Sequence, residues 1–91
     1  MSYKGKVNWT KNNRKCQHWK KQRPHKHPVK DATKIPDDSL DEAQNYCRNP
    51  AINHIWSDSP WCYTTDRKVE WEFCNIPKCG KQKLYGSQCK Q

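Results

Sequence analysis

Six cysteines, four histidines and nine carboxylates are the groups in this 91-residue chain that could do chemistry. A structural zinc site usually draws thiolates from short knuckles such as C-x2-C. No pair among Cys16, Cys47, Cys62, Cys74, Cys79 and Cys89 has that spacing, and only Cys74 and Cys79 lie close, with four residues between them. An even count in so short a chain matches three disulfides instead. Disulfides persist in oxidising compartments, so the chain is read as secreted and extracellular. A serine or cysteine nucleophile needs a base and an orienting group around a preformed pocket, and bridged cysteines are not available for that role. The expectation is no enzyme, no cofactor and no metal. The stretch from Cys47 to Cys62 is unusual in holding Trp56 and Trp61 but one carboxylate, Asp58.

The second chemistry on offer is charge. Residues 1–34 carry eleven Lys or Arg and one acid, residues 35–76 three bases and eight acids, and residues 77–91 four Lys and no acid. If the fold brings head and tail together, the molecule has a cationic pole that attracts polyanions. Lys20, Lys21, Arg23 and Lys26 form the densest cluster, with Lys81 and Lys83 in the tail as companions. Scattered lysines such as Lys4, Lys6 and Lys11 are read as solubilising charge.

What must position these groups is a small core, because a domain of this size buries proportionally little surface. Rings dominate it: five Trp and four Tyr stand against one Phe and one Met. Prolines at 24, 28, 36, 50, 60 and 77 exclude long helices almost everywhere. Ser39 followed by Glu42 predicts a capped helical turn within residues 38–44. Residues 61–65 and 69–73 read as two short strands joined by a turn at 66–68. Val69, Trp71 and Phe73 fall on one face of the second strand, Glu70 and Glu72 on the other. The fold class is therefore small and disulfide-rich, mostly loops with short antiparallel β hairpins and little or no helix. No segment reaches the length of a membrane span, and the basic, polar first twenty residues lack a secretory leader's apolar run. Asn8-Trp9-Thr10 is an N-glycosylation acceptor.

Several motifs in order resemble a kringle domain: Tyr3-Lys4-Gly5, Arg14-Lys15-Cys16-Gln17-His18-Trp19, Pro24-His25-Lys26-His27 and Asn45-Tyr46-Cys47-Arg48-Asn49-Pro50. Pro60-Trp61-Cys62-Tyr63-Thr64-Thr65-Asp66 and Trp71-Glu72-Phe73-Cys74-Asn75-Ile76-Pro77-Lys78-Cys79 complete the set. The opening is most similar to kringles of Wnt-pathway receptor type. The resemblance implies a domain over 1–79, a tail over 80–91, and the bridges Cys16–Cys62 and Cys47–Cys74. The family's remaining bridge joins its last cysteine to one before Tyr-x-Gly, which this chain lacks. Cys89 is expected to pair with Cys79 in its place.

Many kringles hold lysine in a shallow groove, with two acids after C-R-N-P for the ammonium, rings along the stem and a cation for the carboxylate. Here the rings Trp61, Tyr63 and Trp71 match. The charges do not: Ala51, Ile52 and Asn53 follow Pro50, Glu70 stands where a cation is carried before Trp71, and Val29 falls at the other cationic position. Only Asp58, in a loop longer than the usual pattern, offers a replacement. Free lysine is therefore not the expected ligand. In kringles the pair matching His25 and His27 is mainly structural. The leading expectation is a monomeric extracellular module that recognises a protein through Ile55, Trp56, Asp58, Trp61, Tyr63, Glu70 and Trp71. The alternative is a sulfated glycan such as heparin at the basic pole. A small secreted toxin or defence peptide is the third reading, and nucleic acid is expected to bind only nonspecifically.

Overall fold

The computed structural model describes residues 3–50, 52 and 59–76. Order is built around one antiparallel pair, β1 (Trp61–Tyr63) and β2 (Trp71–Phe73), with Trp61 opposite Phe73 and Tyr63 opposite Trp71. Opposed residues share a face, so the four rings lie on one side of the pair while Cys62 and Glu72 lie on the other. Both strands are shorter than the sequence predicts, because side chains turn the backbone early. The Thr64 hydroxyl accepts from Asp66 N and lies against the carbonyls of Asp66 and Val69, and the Asp66 carboxylate accepts from Lys68 N at 2.9 Å.

Isolated bridges fasten the rest of the chain to this pair: Thr10 to Cys74, Cys16 to Thr64 and Arg48 to Trp61. The predicted helical turn forms as α1 (Leu40–Ala43), with the Ser39 hydroxyl accepting from Glu42 N at 3.1 Å. A single 3-10 turn, Ala32–Lys34, precedes it, capped by the Asp31 side chain.

Both expected central disulfides are present. Cys16–Cys62 and Cys47–Cys74 span sequence separations of 46 and 27, and the sulfurs of Cys16 and Cys47 lie 3.8 Å apart, so the bridges touch. The four sulfurs cluster closely, but each is already bonded to another sulfur. Around them pack Tyr3, Trp19, Val29, Ile35, Ala43 and Ile52, all buried. Cys79 and Cys89 lie outside the described residues.

Next to Cys47, a buried ion pair of Arg48 with Asp37 ties two sequence motifs together. Arg48 donates from Nε and Nη2 to the two carboxylate oxygens of Asp37 at 2.7 and 3.0 Å, and from Nη1 to the carbonyls of Gly5 and Cys47. Both side chains are only 2% exposed. The guanidinium also sits 5.8 Å from the Tyr3 ring centre and 5.4 Å from that of Tyr46. Glycine suits position 5, because a Cβ there would overlap the Tyr3 hydroxyl and the ring carbon that bears it. The Tyr-x-Gly and C-R-N-P motifs are thus two halves of one structural contact.

Candidate binding site

β1 is enclosed on both faces. Cys62 closes one through its bridge, and on the other Trp61 and Tyr63 meet the edge and face of Trp19 at 5.6 and 6.0 Å. His27 stacks on Tyr63 at 5.0 Å. The ring of His27 is fixed by its hydrogen bonds: Nδ1 accepts from Val29 N, so Nε2 carries the hydrogen and donates to Lys21 O at 2.9 Å. Burial holds its pKa below the ordinary histidine value, which suits a neutral ring, although its backbone hydrogen bonds partly oppose that shift.

This arrangement corrects the expectation that Trp61 and Tyr63 join Trp71 in contacting a protein partner. The three rings do adjoin, Trp61 meeting Tyr63 at 5.2 Å and Trp71 at 5.8 Å. Trp61 and Tyr63, however, are 0% and 1% exposed. They face a second layer of rings, Trp19 and His27, and not solvent. Among the described residues, Trp61 Nε1 and Tyr63 Oη are buried without a hydrogen-bond partner. Burial, with some help from the charge of Glu70, pushes the Tyr63 hydroxyl up to about 12. Trp71 remains half-buried, in edge contact with Phe73 at 5.1 Å, and Glu70 beside it is exposed. Ile55, Trp56 and Asp58 lie outside the described residues.

Of the positions that the resemblance aligns with pocket charges, Val29 is apolar and closed, whereas Glu70 is an exposed acid where a cation is carried. Val29 is 0% exposed and Ile52 6%, both within the cluster that holds Trp61 and Tyr63.

The basic residues separate into two groups. Lys20 is neutralised by Asp41, Nζ to Oδ1 2.9 Å, and Arg14 reaches both Asp66 at 3.1 Å and Glu72 at 3.0 Å. Burial would raise the Glu72 pKa, yet hydrogen bonds from Thr10, Asn12 and Arg14 outweigh it and hold the carboxyl below its ordinary value. The Lys68 backbone N–H, then Arg14, do the same for Asp66. Arg23 and Lys26, by contrast, line a cavity with Arg67, a residue that sequence reasoning treated only as part of a turn. Lys21 is exposed on the same loop, while Lys81 and Lys83 lie outside the described residues.

His25 and His27 do not converge on a common ligand. His25 Nε2 donates to Asp66 O at 2.8 Å, whereas His27 is turned to Lys21. Asn8 is half-buried, its Nδ2 donating to Asn45 Oδ1 at 3.4 Å. Its neighbour Trp9 is 50% exposed and Val7 39%, the largest apolar exposure among the described residues. Trp9 entered the sequence reading only as the middle of a glycosylation triplet, so its exposure went unforeseen.

A family model described as Kringle domain matches residues 1–79. The chain is 46% identical over 81 residues to plasminogen of Capra hircus, covering 89% of this chain and 60% of that protein. It is 45% identical over 79 residues to an apolipoprotein(a)-like protein of Homo sapiens, covering 87% of this chain and 54% of the relative. The chain therefore spans between half and two thirds of the length of these relatives.

Proposed function

The chain belongs to the kringle family, and on that premise we propose that it is an extracellular module that docks a protein partner without a lysine pocket. Kringles are non-catalytic binding modules, so the activity is recognition, not turnover. The observation that carries the reading is the burial of Trp61 and Tyr63 in one core cluster with Val29, which falls at a cationic position of lysine-binding kringles. A zwitterion needs opposite charges at its two ends and an open trough between them. Here apolar Val29 stands at one cationic position and the acid Glu70 at the other, and two of the three trough rings belong to the core.

The contact surface is then assigned to the half-buried Trp71 with exposed Glu70, together with Ile55, Trp56 and Asp58, which lie outside the described residues. Trp9 adds a further exposed ring. Aromatic residues of this kind are the commonest anchors of protein interfaces. The domain, immobilised with its disulfides intact, is expected to capture protein from extracellular fluid in a manner that Trp56→Ala and Trp71→Ala reduce. A lysine analogue is expected neither to elute that protein nor to change the domain's tryptophan fluorescence. Elution by the analogue, with a saturable fluorescence change, would return the site to lysine binding and sink this reading.

Residues 1–79 form the domain in this proposal, and residues 80–91 a tail tied back by a Cys79–Cys89 bridge. Non-reducing peptide mapping is expected to recover those two cysteines in one linked fragment. A free Cys89, or one bonded between two chains, ends the idea.

A further inference from the structure

The loop at residues 22–26 and the turn at 65–67 face each other across a cavity of about 570 Å³ lined by Gln22, Arg23, Pro24, Lys26, Thr65 and Arg67. Three cations therefore line one space, and no carboxylate lines it. Among the described residues, Arg14, Lys20 and Arg48 have acidic partners, while none pairs with Arg23, Lys26 or Arg67. Asp66, the acid nearest in sequence, is already engaged through its carboxylate by Arg14 Nε and Lys68 N. From this geometry we infer that the cavity is an oxyanion-binding site, and that its ligand is a sulfated glycan.

The walls are held in place independently of any ligand. On one side the buried Gln17 donates from Nε2 to Lys21 O and His25 O, both at 2.9 Å, and accepts from His25 N at 3.0 Å. On the other, Thr65 donates from its backbone N and its hydroxyl to Lys15 O at 2.9 and 3.0 Å. The His25 ring joins the two walls through its 2.8 Å bond to Asp66 O. Arg23 and Arg67, both exposed residues, thus stand on opposite walls of a braced cleft.

Like charges gathered in this way repel one another, and an anion between them reverses the sign of the interaction. Guanidinium presents a planar fork of donors that matches the paired oxygens of sulfate or phosphate, and its weak hydration makes such a contact inexpensive. The shared chemistry is a tetrahedral oxyanion. A sulfate ester on a glycan is the favoured source, because the disulfides place the chain outside the cell, where sulfated polysaccharides are the prevailing polyanions. That compartment is the one element taken from the reading above. The cleft itself uses none of the rings of the protein-contact surface, so either can fail alone.

Binding of a heparin octasaccharide to the disulfide-intact domain is the test, using titration calorimetry at several salt concentrations. Arg23→Gln and Arg67→Gln are each expected to lower affinity about tenfold, the loss of one charge-assisted hydrogen-bonding partner. Arg67→Lys, which keeps the charge but loses the fork, is expected to fall between. Lys34→Gln, outside the cavity, removes the same charge and is expected to change affinity by less than about twofold. Circular dichroism checks that each variant is folded. Equal losses in Lys34→Gln and Arg67→Gln would overturn the site, since only diffuse charge would then be at work. Competition by polyphosphate or inorganic phosphate as strong as that by heparin would overturn the sulfated-glycan assignment.

Discussion

Replacing Asp37 by alanine is expected to destabilise the domain by about 3–5 kcal/mol, enough to unfold much of it at room temperature. The expectation follows from where the charge is left. Arg48 stays 1% exposed, surrounded by the rings of Tyr3 and Tyr46 and the carbonyls of Gly5 and Cys47, with no carboxylate to offset it. A pair of buried ions gains little net energy when formed, because desolvation consumes most of the attraction. Removing one partner exposes that desolvation in full. The double variant Asp37→Leu, Arg48→Met is therefore expected to lose less than Asp37→Ala alone, a sign that pairwise addition cannot produce. Urea unfolding with the disulfides intact measures both. A loss below about 1 kcal/mol in the single variant would mean that water reaches the guanidinium, and that the pair does not fasten the N-terminal segment to the core.

That ion pair also marks where reading the sequence stops. Asp37 and Arg48 are separated by eleven positions with α1 between them, and nothing local to either distinguishes Asp37 from Asp38 as the partner. What was legible is local or carried by a motif. The Ser39 cap needs only its own next three residues, the hairpin needs only alternation, and the bridges follow from resemblance to a family with fixed connectivity. The burial of Trp61 and Tyr63 was not legible for a related reason. Alternating rings on a short strand look the same whether their face meets solvent or a second layer of rings, and that layer comes from Trp19 and His27, more than thirty residues away. Arg67 was hidden likewise. Its sequence neighbours describe a turn, while its functional neighbours, Arg23 and Lys26, arrive only because His25 and Gln17 fold the earlier loop against that turn.

Converting either central bridge to a pair of alanines is expected to cost about 3.5–4 kcal/mol from loop closure alone. With separations of 46 and 27, the entropic difference between Cys16–Cys62 and Cys47–Cys74 is only about 0.5 kcal/mol, because closure entropy grows with the logarithm of loop length. Any larger difference between the two variants has to come from packing. Both bridges are buried and their sulfurs touch at 3.8 Å, so removing one opens space beside the other and exposes that bridge's flank. The two losses are accordingly expected not to add. Cys62 carries the greater structural burden, since it lies between Trp61 and Tyr63 on β1 and its bridge closes the only face of that strand that the rings leave open. Loss of Cys16–Cys62 is therefore expected to loosen the ring layer, seen as increased near-ultraviolet and fluorescence change at low denaturant, while loss of Cys47–Cys74 shifts the unfolding midpoint with that layer intact. If the two variants differ by only that ~0.5 kcal/mol and show the same ring signals, loop entropy is the whole contribution of the bridges, and the contact between them contributes nothing further.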